Sequence, residues 1–217
     1  VLQGQEKDFQ TGLDALAKIA KTHLGICVCQ KNPALTGAKN VTVTTFEGAN
    51  PAGNVGVQIN HVDPINKGEI VWTLGAEEVI FIGRLFNNGH VDFTRTIALA
   101  GSEVKKPAYC KVKVGAKLTG IFAGRVENAQ PLRYINGNPL TGVQTCAEGY
   151  LAAHATSLTV IPEGADNHEF LGFIMPRFNQ FSTSRSYFSW LCGKKEYALD
   201  ARIKGGERHM IMSGEYD

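Results

Sequence analysis

Phe9, Leu13, Leu16 and Ala20 recur at intervals of four, three and four. That is the repeat of one helix face, and it predicts a helix over Glu6–Lys21 with a single stripe to bury. The run Leu24–Cys29 is short and apolar, and Val41–Phe46 is rich in β-branched residues, so both predict strands. Pro33, Gly37 and Asn40 punctuate the loop between them. Ala52, Val55, Ile59 and Val62 predict a second helix, with Asn50 as its cap, Pro51 in its first turn and Pro64 at its end. Glu69–Leu74 reads as a strand. Ala76–Asn87 reads as a helix burying Val79, Ile80, Gly83 and Phe86, closed by Asn88-Gly89. Helices alternating with short apolar strands through residue 90 predict a layered α/β unit.

From Asp92 the texture changes. Thr94–Leu99 and Ala108–Val114 predict strands, Leu118–Ala123 a short helix, and Leu132–Ile135 another strand before the turn signal Asn136-Gly137. Strand, strand, helix, strand within about 50 residues is the content of a β-grasp module. Leu158–Ile161 predicts a further strand and Phe170–Met175 a short apolar element. The fold class expected is a mixed α/β chain. Residues 1–92 form the α/β domain, residues 93–148 the β-grasp domain, and residues 149–217 strands and helices packing back on the α/β core.

The 217 residues, 43% of them hydrophobic, suffice for a buried core. A net charge of +2, with Lys and Arg dispersed along the chain, excludes the electrostatic footprint of a nucleic-acid binder. No apolar run approaches the roughly 20 residues that cross a bilayer, and Val1–Asp8 is too polar for a signal peptide. Five scattered cysteines do not make a disulfide framework and suggest a reduced, cytosolic setting.

Few residues carry the patterns of redox or hydrolytic chemistry. Cys27 and Cys29 share one face of the predicted strand, where they read as core residues; a metal there needs two further ligands. The six histidines include no pair at the spacing of a zinc helix. His61 and Asp63 beside Pro64 read as a helix-end histidine with an acidic neighbour. Asn50-Pro51-Ala52-Gly53-Asn54-Val55-Gly56 comes nearest to a phosphate cradle but lacks the dinucleotide spacing. NAD, flavin and ATP are accordingly not expected to bind, and no catalytic, cofactor-binding or metal residue is assigned. One segment stands out by composition: Arg177, Phe178, Phe181, Arg185, Tyr187, Phe188 and Trp190 set aromatics beside arginines. These types are enriched at interface hot spots. The competing reading puts the phenylalanines in the core and the arginines in water.

Several collinear stretches carry a resemblance. Asn50-Pro51-Ala52-Gly53, Ile80-Phe81-Ile82-Gly83-Arg84-Leu85-Phe86 and Arg95-Thr96-Ile97-Ala98-Leu99-Ala100-Gly101 resemble the A subunit of the bacterial sodium-translocating NADH:quinone reductase. The likeness continues through Lys106-Pro107, Val114-Gly115-Ala116, Gly137-Asn138-Pro139-Leu140-Thr141-Gly142, Met175-Pro176 and Phe181-Ser182-Thr183-Ser184-Arg185-Ser186. It implies a middle portion of that subunit, and distant kinship with the flavin-bearing subunit of complex I, where a Rossmann-like layer precedes a soluble-ligand-binding β-grasp domain. It also implies a peripheral position on the cytoplasmic side of the inner membrane, with integral membrane subunits as partners. Flavins and an iron-sulfur centre would sit on other subunits, and quinone at an interface. Two alternatives are a free-standing β-grasp module for a small molecule and a subunit of a related ion-pumping, ferredoxin-linked complex.

Overall fold

A computed structural model describes residues 2–126, 131–163, 176–180, 185, 187–193 and 196–197, and the chain divides between Phe93 and Thr94 into two units. Both mix helices with strands.

The first unit runs α1 (Glu6–Ala17), β1 (His23–Cys27), α2 (Pro33–Thr36), β2 (Thr42–Phe46), α3 (Val55–Val62) and α4 (Ala76–Asn88). The stripe on α1 is met by α4: Phe9, Leu13, Val79 and Ile80 are buried together, with Leu16 and Leu24 packed on them. Each such side chain contributes about 1.5–3 kcal/mol when fully removed from water. The helices approach through glycine. A Cβ on Gly12 would fall 2.1 Å from the Val79 carbonyl oxygen, and one on Gly83 would fall 1.7 Å from that of Asp8. Hydrogen bonds from Asn87 to Asp8 (2.7 Å) and from Thr11 to Asn87 (3.2 Å) fasten the same seam. Arg84 lies 3.9 Å from Asp8 and 3.5 Å from Asp92.

β1 and β2 are parallel, with His23 opposite Thr42 and Cys27 opposite Phe46. Between them, Asn32 caps α2 by accepting from the Ala34 N–H at 3.0 Å, and Pro33 occupies the first turn, where its missing N–H costs nothing.

Four details of this unit depart from the sequence reading. The first helix ends at Ala17, short of Lys21, because the amides of Lys18 and Ile19 bond back three residues and tighten the last turn; Ala20 is exposed. The helix expected from Asn50 starts at Val55. Residues 49–54 make successive turns, Ala52 N–H to Ala49 O and Asn54 N–H to Pro51 O, around a cis Asn50-Pro51 bond. Residues 69–74 form no strand: Ile70 and Trp72 are 83% and 86% exposed, and no strand among the described residues pairs with them. Phe86 is likewise exposed. One turn beyond Gly83, the position facing α1 is Asn87, which spends its side chain on Asp8 and Thr11.

The cysteine pair is also corrected. Cys27 and Cys29 are exposed and joined by a disulfide, rather than buried thiols. The strand ends at Cys27 and the chain turns, with Gln30 N–H bonded to Cys27 O, so Cys29 folds back over Cys27 with 5.2 Å between Cα atoms. Thiol titration of the denatured, unreduced chain is expected to find three reactive cysteines, Cys110, Cys146 and Cys192, and five after reduction. Five before reduction would show that the pair is open.

The second unit runs β3 (Thr94–Ala100), β4 (Ala108–Lys113), α5 (Thr119–Phe122), β5 (Leu132–Asn136), β6 (Val143–Thr145) and β7 (Ser157–Pro162). The sheet order is β4-β3-β7-β5-β6. β3 alternates inward and outward, burying Arg95, Ile97 and Leu99, as a strand with one covered face should. β7 lies between β3, to which it is parallel, and β5, to which it is antiparallel. It is buried from Leu158 to Pro162. The sequence sends this stretch back to the α/β layer; instead it is the middle strand of the second sheet. Leu118, Ile121 and Phe122 close one face over Ile97, Leu99, Leu158 and Val160.

At the hairpin between β5 and β6, Asn138 accepts from the amides of Leu140 and Thr141 at 2.8 and 2.9 Å. Arg133 and Glu163 pair through two bonds, 3.0 and 2.6 Å, which is the fork geometry suited to a carboxylate. The apolar element expected at Phe170–Met175 lies outside the described residues.

Candidate interaction surface

Tyr187 is the anchor of the aromatic and arginine segment. Its side chain is 1% exposed, and the Arg177 guanidinium stands over its ring, 5.4 Å from the centroid. A cation over an aromatic face is attracted by the ring quadrupole, and the attraction grows as water is excluded. Arg177 also donates to the Gln180 side chain at 3.1 Å, fixing residues 177–180 against Tyr187.

After Tyr187 the chain enters a 3-10 helix, Phe188–Cys192, closed by Gly193 at φ 71°. Three residues per turn place Phe188 and Leu191 on one edge. Both are exposed, as is Trp190 between them, while Ser189 turns inward and its carbonyl accepts from the Tyr197 hydroxyl at 3.3 Å. The Phe178 ring meets that of Phe188 edge to face, 6.3 Å between centroids and 62° between planes. Phe178, Phe188 and Trp190 are each about half exposed. Arg185 is exposed and adopts a left-handed backbone, φ 57°.

The competing sequence readings therefore divide by residue. Tyr187 belongs to the interior, whereas Phe178, Phe188 and Trp190 are exposed, as is Arg185. Phe181 lies outside the described residues. Chemically, the Phe178–Phe188 pair offers exposed aromatic area close to the Arg177 cation, residue types enriched where protein faces meet.

Other sequence candidates resolve differently. His61 Nδ1 lies 2.8 Å from the Val57 carbonyl oxygen in its own helix, and Asp63 instead takes a hydrogen bond from Lys21 at 2.7 Å. That bond holds the Asp63 carboxyl below its ordinary range. His23 Nε2 stands 3.7 Å from the same carboxylate. The meeting of Lys21, His23 and Asp63 was not legible in the sequence, since β1 and the end of α3 are 40 residues apart in the chain. Gln10 and Asn40 both donate to Asp14 and lower its carboxyl in the same way.

In the second unit, the Arg125 guanidinium donates to Cys110 Sγ at 2.7 Å. A shallow cavity of about 210 Å³ lies among Thr119, Phe122, Val126 and Tyr134. Among the described residues no group of three His, Cys, Asp or Glu side chains converges, and no helix is long and apolar enough to cross a membrane.

Comparison with known proteins bears on both units. Residues 1–91 match the family model of the NqrA second alpha/beta domain, and residues 96–147 match that of the NQRA C-terminal domain. The chain is 32% identical over 219 residues to the A subunit of the Na(+)-translocating NADH-quinone reductase of Rhodopirellula baltica. It is 34% identical over 225 residues to that of Actinobacillus pleuropneumoniae and 31% over 219 residues to that of Neisseria meningitidis. Each alignment takes in 100% of this chain and 48–49% of the relative. The chain thus spans about half the length of the curated relatives it matches.

Proposed function

Because the chain belongs to the NqrA family, that of the A subunit of the Na(+)-translocating NADH-quinone reductase, we propose that it is a docking portion of that enzyme. In this reading it acts on the cytoplasmic side of the inner membrane and carries no redox group of its own. Its partners are the other subunits, integral membrane subunits among them. Flavins and the iron-sulfur centre reside on those neighbours, and quinone binds where this chain meets them. The first unit is then a partial Rossmann-like layer, and the second a β-grasp domain built on the order β3, β4, α5, β5.

The observation that carries the docking role is the exposed pair Phe178 and Phe188, in edge-to-face contact beside buried Tyr187. Aromatic residues held rigid before association lose little side-chain freedom on binding, so most of their buried area is retained as affinity. The cavity beside Phe122 supports the rival ligand-binding module less well, since about 210 Å³ falls below the 300–1,000 Å³ usual for small-molecule sites.

Replacing Arg185 and Phe188 together by alanine in the full-length subunit is expected to weaken its association with the complex about tenfold or more. Recovery of the subunit with affinity-purified complex, and quinone reductase activity of the same preparation, read the effect. Unchanged assembly and activity would overturn the proposal.

A further inference from the structure

Cys27 closes β1. It stands opposite Phe46 in the last pair of the register, and the Val28 N–H donates to the Phe46 carbonyl at 3.0 Å. Were the strand to continue, the Cα atoms of Cys27 and Cys29 would lie about 6.6 Å apart, at the far end of what a disulfide spans. The chain turns instead. Gln30 N–H bonds back to Cys27 O at 2.9 Å, and Cys29 N–H donates to Cys27 Sγ at 3.2 Å. The two Cα atoms come to 5.2 Å, well inside the disulfide range. The first of these bonds joins backbone to backbone, so it can hold the turn whether or not the sulfurs are joined.

Two properties separate this bridge from a structural staple. Its sequence separation is 2, so it closes a very short loop and removes little freedom from the unfolded chain. Cys27, Val28, Cys29 and Gln30 are all exposed, so a thiolate in solution can reach the bridge. Exposed disulfides are the labile ones, whereas the structural bridges of secreted proteins resist reduction by thiols. In a cytoplasm rich in thiols, the disulfides that do form are usually transient and redox-active.

We propose that Cys27–Cys29 is a reversible thiol–disulfide exchange site whose co-substrate is a thiol, either a low-mass one such as glutathione or the dithiol of a thioredoxin-class protein. A donor thiolate attacks one sulfur, the Cys27–Cys29 bond breaks, and the other sulfur leaves as a thiolate. A second donor thiolate attacks the mixed disulfide and releases the remaining cysteine. Two electrons pass to the protein, the donor departs as a disulfide, and its two thiol protons end on Cys27 and Cys29. In the reverse direction the turn keeps both thiols together, so the second closes on the first faster than another donor molecule can arrive. The inference takes its supply of thiol from the cytoplasmic placement proposed above, and takes nothing from the docking role of Phe188 and its neighbours.

Native full-length subunit is equilibrated at graded ratios of reduced to oxidised glutathione, quenched in acid, alkylated and cut with trypsin. Cleavage after Lys21 and Lys31 releases residues 22–31, which hold both cysteines and no third. This peptide is expected to pass from bridged in excess disulfide to doubly alkylated in excess thiol, and to return when the ratio is reversed. Cys29→Ser, which removes the resolving thiol, should retain glutathione on Cys27 at least about tenfold more than the unsubstituted chain. Hydrogen exchange of peptides within 6–17 and 76–88 should be the same in both redox states. A pair that stays bridged in excess thiol until the subunit unfolds, a pair that never bridges in excess disulfide, or equal glutathione retention in the variant would each overturn the inference. So would faster exchange in α1 and α4 on reduction, the mark of a staple. In a parallel arm, a thioredoxin-class protein with its second active-site cysteine replaced by serine stands in for glutathione; its capture on residues 22–31 makes a protein dithiol the donor, and exchange without capture makes it the low-mass thiol. None of these readouts depends on assembly or location, so failure of the docking proposal leaves them untouched.

Discussion

Gly83→Ala is expected to destabilise the first unit by about 3 kcal/mol or more. Two effects compete at this position. Alanine is the better helix former by about 1 kcal/mol, so an exposed glycine in α4 would gain from the change. The added methyl, however, would be placed 1.7 Å from the Asp8 carbonyl oxygen and 2.5 Å from its carbon. These are backbone atoms of α1, which no rotamer change can move aside. Overpacking ordinarily costs about 1–3 kcal/mol, and a rigid neighbour puts this site at or beyond the upper end. Separating the helices to relieve the clash would also loosen Phe9, Leu13, Val79 and Ile80.

The loss is read as a urea midpoint lowered by about 1–3 M for the first unit, followed by hydrogen exchange of peptides within 6–17 and 76–88. Gly53→Ala, where nothing lies within 4 Å of the new methyl, should leave the midpoint in place. A Gly83→Ala chain with an unshifted midpoint would show that the helices do not approach as described.

The second large effect arises from too little volume. Leu158→Ala is expected to destabilise the second unit by about 2–5 kcal/mol, the range for a large-to-small change where surroundings cannot collapse. Leu158 is 0% exposed and stands opposite Leu99 on one side and Asn136 on the other. A strand hydrogen-bonded along both edges has little freedom to shift into the space left behind. Native stability is typically only about 5–15 kcal/mol, so the loss is a large share of the total. Amide exchange in 94–100 and 132–136 should accelerate together, because β7 is the element that β3 and β5 share. Leu140→Ala, at an exposed hairpin position, should change neither.

Periodicity made the helix pair and β3 legible, since burial there follows the chain's own repeat. α1 and α4 show apolar residues at helical spacing, and Ile97 and Leu99 alternate as a one-faced strand requires. What remained illegible depends on partners distant in sequence. Ile70–Leu74 has the composition of a strand, but a strand exists only when another edge bonds to it. Phe86 continues the apolar stripe of α4, yet the seam with α1 has already turned polar at Asn87. Cys27 and Cys29 read as core residues because nothing local reveals that the chain turns back after β1. In the aromatic segment, composition marked the region but could not separate Tyr187, which is buried, from Phe188 and Trp190, which are not. That separation is made by a single turn of 3-10 helix.

The place of β7 sets an order for biosynthesis. The ribbons β3–β4 and β5–β6 can each form as soon as their residues leave the ribosome, but neither acquires its inner neighbour until Ser157–Pro162 has been made. During that interval Leu99 and Ile135 lie along open edges, which are templates for pairing with the wrong chain. The second unit is therefore open to mispairing in the time between translation of β3 and translation of β7, and a chaperone that held the β3 edge would act within that window.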